Sequence, residues 1–191
     1  MKRILLLAFL INCIGATAQE FSYTDLLKNV DEVTVTDSFH IESAPQQLIP
    51  IDSITMKKWF GPLLGLTKNN RLKNRSYYLT GKITSNENFD MLVVLEEKKK
   101  SDTNNVQVVH LVTMRKDGSY IASLEAAMGG VKKNASYNTS SWLYKDNKLV
   151  LDSKIMVNDR SFDDMSSYTI NRGGRLILAT RYESSFFKND C

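Results

Sequence analysis

The spacing of hydrophobic positions changes from helical to alternating near residue 77. Before that point, segment 21–30 places its large apolar residues on one helical face, with Ser22 or Thr24 available as a cap. Segment 52–60 opens with a capping Asp-Ser pair and stops at Gly61-Pro62. Residues 63–74 show no regular period. The N-terminal part therefore predicts one or two short helices.

From residue 77 onward, apolar and polar residues alternate with the period of a β-strand. Four pairs of such segments flank turn-forming sequences, of which Lys116-Asp117-Gly118 is a strong example. Each pair predicts a hairpin, and hairpins joined in series form an antiparallel meander of about eight strands. The predicted pairs are 77–83 with 89–97, 106–114 with 119–127, 140–144 with 149–157, and 168–170 with 175–182.

Segment 91–95 is apolar at every position, so both of its faces require cover and it should be a central strand. We therefore expect a mainly β fold in which residues 77–191 form the meander. Residues 19–76 should form a helical and irregular segment that packs on the sheet and completes one domain. The pattern leaves open whether the sheet closes as a barrel, curls as a half-barrel or splits into a sandwich.

Residues 1–18 follow a third pattern. Lys2 and Arg3 precede an apolar run of about a dozen residues, which ends in the small residues Ala16-Thr17-Ala18. This order predicts a secretory signal peptide that is cleaved after Ala18. The run is shorter than the roughly 20 residues of a membrane-spanning helix, and no later run is longer. We expect an exported protein of the periplasm or cell surface of a Gram-negative bacterium, without a transmembrane segment.

Cleavage after Ala18 removes Cys13 and leaves Cys191 as the single cysteine, so we expect no internal disulfide. Cys13 also offers the alternative of a lipid anchor, as in bacterial lipoproteins. Asn12 disfavours that alternative, because the lipoprotein cleavage site prefers a small residue before the cysteine.

Charge and motifs exclude several function classes. The chain has 25 basic and 21 acidic residues, and loss of Lys2 and Arg3 lowers the net charge from +4 to +2. A charge this small does not favour a nucleic-acid partner. The sequence has no glycine-rich phosphate loop, no serine-nucleophile motif and no histidine–cysteine arrangement for zinc. We therefore expect no cofactor and no metal.

Catalytic candidates are few. His40 and His110 are the two histidines, and His110 lies in a strand, which favours a hydrogen-bonded core residue over a catalytic base. Glu96-Glu97 and Asp163-Asp164 are carboxylate pairs, but neighbours along a strand point to opposite faces. We interpret the first pair as a charged strand end and the second as part of a loop.

Two features are candidates for ligand binding. Arg71, Lys73 and Arg75 form a basic stretch that is followed by aromatic residues and suits an anionic ligand. Trp142 and Tyr144 share one strand face and could form a stacking platform for a sugar, although burial is the commoner fate of such a pair.

These observations favour a non-enzymatic binding domain for a small ligand, a glycan or an envelope protein. An envelope hydrolase with a dispersed carboxylate and histidine site is one alternative, and a structural or assembly factor is another. His110 converging with a carboxylate at a cleft would indicate the enzyme. An unpaired strand or a large exposed apolar patch would indicate the assembly factor.

Overall fold

The computed structural model describes residues 22–65, 68–84, 87–98, 104–158 and 160–186. The predicted signal peptide, Cys13 and Cys191 lie outside these residues. The helices are α1 (Tyr23–Leu27), α2 (Ser53–Trp59), α3 (Gly61–Leu64) and α4 (Lys68–Asn74). The strands are β1 (Glu32–Thr34), β2 (Ser38–Ile41), β3 (Ile49–Ile51), β4 (Arg75–Thr84), β5 (Phe89–Lys98), β6 (Gln107–Arg115), β7 (Tyr120–Lys132), β8 (Ala135–Tyr144), β9 (Lys148–Val157), β10 (Arg160–Ile170) and β11 (Leu176–Phe186).

Strands β4 to β11 lie side by side in chain order, each antiparallel to the next. They correspond one to one to the eight strands of the four predicted hairpins. The prediction of a mainly β fold, with an antiparallel meander after short helices, is confirmed. Strands β8 and β10 begin earlier than predicted, at Ala135 and Arg160, because polar side chains in their first halves hide the alternation.

The N-terminal part is more ordered than its sequence indicates. Helix α2 begins where predicted, since Asp52 Oδ1 accepts hydrogen bonds of 2.8 Å from the amides of Ile54 and Thr55. These bonds to the ionised form lower the pKa of Asp52. The stretch from residue 63, for which the sequence shows no period, is helical in α3 and α4, and Pro62 lies in the first turn of α3.

Three short strands extend the sheet. Strand β1 lies parallel to β4, β3 lies antiparallel to the other part of β4, and β2 pairs with the end of β8. Within the described chain, β11 pairs with β10 alone, so the meander keeps an open edge there. The sheet nevertheless curves onto itself, because side chains of its first half (Met91, Val93) and its second half (Leu143, Leu149) share one hydrophobic cluster.

A second cluster lies between the helices and the other face of β4–β6. Met56, Phe60 and Leu64 are fully buried there against Leu92 and Val94. Strand β5 is thus covered on both faces, as its apolar sequence predicts, and residues 91–95 are each at most 6% exposed. Full burial of each such side chain stabilises the fold by roughly 1.5–3 kcal/mol.

Both ends of the helix-facing row of β5 carry a buried carboxylate. At the start of the strand, Asp90 accepts hydrogen bonds from the Tyr23 hydroxyl (3.2 Å) and the Lys116 ammonium (2.7 Å). Burial, and then the negative charge of Asp90, raise the pKa of the Tyr23 hydroxyl. This network fixes α1 to the sheet. At the other end of the row lies Glu96, in the candidate site.

The turn between β10 and β11 contains two adjacent glycines, of which one has a positive φ and the other does not. Substituting each of them tests the backbone geometry of the turn. Gly174 has φ +79°, and a Cβ there would lie 2.9 Å from Ile121 Cδ1. Gly173 has no positive φ, and the nearest atom to its Cβ would be 3.4 Å away. We expect Gly174→Ala to lower the free energy of unfolding by about 2–4 kcal/mol, through left-handed strain and overpacking.

Gly173→Ala should change it by less than about 0.5 kcal/mol. Urea denaturation of the two variants checks this difference. Equal stabilities would show that the turn does not have the described geometry.

Candidate functional site

Two of the basic residues singled out by the sequence meet at one cavity. Arg71 lies in α4 and Arg75 begins β4, and both line a cavity of about 230 Å³. The other walls come from β5, β6, β7, β8 and the segment before β6. The lining residues are Arg71, Arg75, Glu96, Lys98, Asn104, Val106, Val108, Glu125, Met128, Lys132 and Tyr137.

Glu96 is the buried anion of this cavity. It is 1% exposed, and its Oε1 contacts the guanidinium of Arg75. Its Oε2 lies 3.2 Å from Nε2 of His110, which is itself buried on the neighbouring strand β6. An unpaired buried carboxylate would cost several kcal/mol. Contacts with Arg75 and His110 offset part of that cost, and Glu96 in turn holds the Arg75 guanidinium in the wall of the cavity.

His110 is neutral in this environment. Burial lowers its pKa to about 4, and the positive charges of Arg71 and Arg75 act in the same direction, while Glu125 opposes them. Nε2 of the neutral ring lies within hydrogen-bond distance of Glu96 Oε2. His110 therefore positions the carboxylate and adds no charge.

Positive charge exceeds negative charge around the cavity. Arg71, which donates to the carbonyl of Leu63, stands near Arg75, and burial together with this like charge lowers the pKa of Arg75. Within the described residues, Lys98 and Lys132 form no ion pair with a carboxylate. With Glu96 occupied by Arg75, Glu125 is the one other acidic residue among the described residues of the lining.

A buried hydroxyl adds a donor to this neighbourhood. Tyr77 is 3% exposed, and its hydroxyl has no hydrogen-bond partner in the described part of the chain. Burial raises its pKa, and the nearby Arg71 and Arg75 guanidiniums act against that shift. A buried donor without a partner costs about 1–3 kcal/mol, and Tyr77 is not part of the cavity lining.

The other binding candidates from the sequence, Lys73, Trp142 and Tyr144, lie outside this cavity. Lys73 is exposed and is not part of its lining. Trp142 and Tyr144 lie on the end of β8 and are 43% and 41% exposed. The burial expected for this pair is wrong, because the alternate residues Ser141 and Leu143 take the buried face. Trp142 instead stacks on His40, with ring centroids 4.2 Å apart.

Sequence reasoning missed Glu96 as a site residue. Interpreting Glu96-Glu97 as a charged strand end is wrong for Glu96, and Asp163-Asp164 lies within β10 rather than in a loop. A usable signal was present: Glu96 continues the alternation of Asp90, Leu92 and Val94 along a strand that is buried on both faces. The lysines that follow it obscured this signal.

The described residues hold no group of three or more His, Cys, Asp or Glu side chains that could hold a metal ion. In the same part of the chain, no helix has the length and apolar character to cross a membrane.

Fold and site together define a β-meander domain, covered by short helices on one face, with a cationic cavity at the end of that face. Comparison with protein-family models, with curated proteins and with solved structures finds no match to this chain.

The lowered pKa of His110 should make the free energy of unfolding depend on pH. Its folded value of about 4 lies below the ordinary 6.5, so below about pH 6.5 the unfolded chain binds a proton that the fold excludes. Because of this residue, the free energy of unfolding should fall by about 3 kcal/mol as the pH drops from 6.5 to 4. Urea denaturation at a series of pH values measures it.

His110→Gln keeps an amide donor for Glu96 but cannot titrate. Its stability should therefore depend less on pH in this window than that of the wild type. An identical pH dependence in both proteins would rule out a buried, neutral His110.

Proposed function

We propose that the chain is an exported binding domain of the bacterial envelope that takes a small anion, with a carboxylate or phosphate group, into the cavity between α4, β4, β7 and β8. The observation that carries the proposal is the convergence of Arg71, Arg75, Lys98 and Lys132 on one cavity of about 230 Å³. Guanidinium and ammonium donors suit carboxylate and phosphate oxygens. The signal-peptide pattern of residues 1–18 supports the envelope location.

The arrangement supports binding more than hydrolysis. His110 and Glu96 are adjacent, which is the feature expected of the alternative enzyme. However, His110 is not part of the cavity lining, and its Nε2 already contacts Glu96 at 3.2 Å. Glu96 is itself paired with Arg75. A general base must reach the proton that it removes, and both groups are instead used to hold a cation in place.

An assembly role is the second candidate. Among the described strands, β11 pairs with β10 alone, and Ile177, Leu178 and Tyr182 on it are 51%, 51% and 68% exposed. Such an edge can accept a strand from a partner protein. The cavity offers the more specific chemistry, so we place anion binding first.

Isothermal titration with inorganic phosphate, succinate and a sugar phosphate tests the proposal. We expect saturable binding of at least one of these anions, weakened by added salt. Lys132→Gln should reduce the affinity about tenfold, since it removes one charge-assisted contact worth about 1.4 kcal/mol.

Lys73→Gln is the matched control. It removes the same charge from an exposed position on α4, outside the cavity, and the affinity should change less than about twofold. Equal losses in the two variants, or no binding of any anion, would contradict the proposal.

A further inference from the structure

A second cavity, of about 370 Å³, lies on the opposite side of the sheet from the helices. Its apolar walls include Phe39 and Ile41 from β2 and Ile83 and Val93 from β4 and β5. These four side chains also belong to the cluster between the two halves of the sheet, so the cavity is continuous with the hydrophobic core. Apolar walls with a few polar groups at the rim are typical of small-molecule sites.

Gly81 keeps part of this cavity empty. It lies inside β4 beside a shift in register, and its backbone has no positive φ, so a larger residue could adopt its conformation. A Cβ built there would have as its nearest neighbour the carbonyl oxygen of Asp31, 3.9 Å away. A glycine inside a strand often marks a bulge or the close approach of another backbone or of a ligand. Gly81 lies beside a register shift and next to β1, and it also lines the cavity.

The segment after β2 forms the outer wall and is tied in place. Gln47 Oε1 accepts a 3.1 Å hydrogen bond from the amide of Asp31, and its Nε2 donates to the carbonyl of Asn29. These bonds link Gln47 to the backbone just before β1, so the outer wall of the cavity is anchored at this residue.

The charge at the rim is opposite to that of the first cavity. Asp31 and Glu42 are the acidic residues of the lining, and its described residues include no lysine or arginine. Glu42 has His40 as its nearest basic group, with Nδ1 3.5 Å from Oε1. An apolar space with an anionic rim complements a ligand with an apolar body and a cationic end.

We propose that the cavity beside Gly81 binds a small amphiphile with a short alkyl body and a single cationic head. The alkyl body would occupy the space left by Gly81, between Ile83 and Val93. The head would lie at the rim, near Glu42 and Asp31. This site is separate from the anion cavity, so an experiment can contradict one of the two proposals and leave the other intact.

Isothermal titration with hexyltrimethylammonium, hexyl sulfate and hexanol, each below its aggregation concentration, tests the inference. We expect the ammonium probe to bind at least tenfold more tightly than the sulfate. Gly81→Leu should fill the space and weaken the ammonium probe at least tenfold. Gly81→Ala, which adds one methyl group, should change the affinity less than about threefold. Unchanged binding in Gly81→Leu, or no binding of any probe, would overturn the proposal.

Glu42→Gln provides a second variant, in case Gly81→Leu does not fold. Glu42 is exposed, so the fold should tolerate the change. The variant should lose most of the preference for the ammonium probe over hexanol. A sulfate probe that binds the wild type as tightly as the ammonium probe would refute the assigned ligand class.

Discussion

The burial of strand β5 on both faces is the constraint on which the rest of the structure depends. Its central residues, 91–95, are apolar at every position, so the strand is stable only between two layers of side chains. One layer comes from the curved sheet, through residues such as Leu111 and Leu143. The other comes from the short helices, through Met56 and Phe60. Both the curvature of the meander and the packing of the N-terminal helices meet this requirement.

The same strand creates the polar sites. Its helix-facing row ends in Asp90 on one side and in Glu96 on the other, and each carboxylate is buried and needs a cation. Asp90 is satisfied by Lys116 and Tyr23, which secure α1. Glu96 is satisfied by Arg75 and His110, which leaves Arg75 fixed at the edge of a cavity. The stabilisation of the core and the electrostatics of the candidate site therefore share one element.

The strands were predictable because turn residues and alternation agree along the whole meander. Lys116-Asp117-Gly118 marks its hairpin correctly, with Gly118 at φ +86°. Helix α4 was not predictable, since its sequence, KNNRLKN, has a single apolar residue, and Leu72 packs against the second cluster only in the folded chain. Arg71 and Arg75 were found from their charge. Lys98 and Lys132 were not, because they join the cavity from β5 and β7, strands that only the sheet topology brings close.

Which side chains of a strand face solvent also depends on how the strands pair in the sheet. Trp142 and Leu143 are adjacent, and nothing local determines which of them faces the core. The pairing of β2 with β8 determines it: Phe39 lies opposite Leu143 on the buried side, and His40 lies opposite Trp142 on the exposed side. The same pairing places β2 in a wall of the second cavity, which could not be predicted from the sequence.

The central claim is that a cationic cavity built around Glu96 and Arg75 binds an anion. A titration of the isotopically labelled protein with inorganic phosphate, followed by backbone amide chemical shifts, tests it most directly. We expect saturable shifts concentrated at residues 71–75, 96–98, 125–132 and 137, with smaller changes elsewhere. Shifts confined to the exposed face around Trp142, or no saturable shift at all, would contradict it.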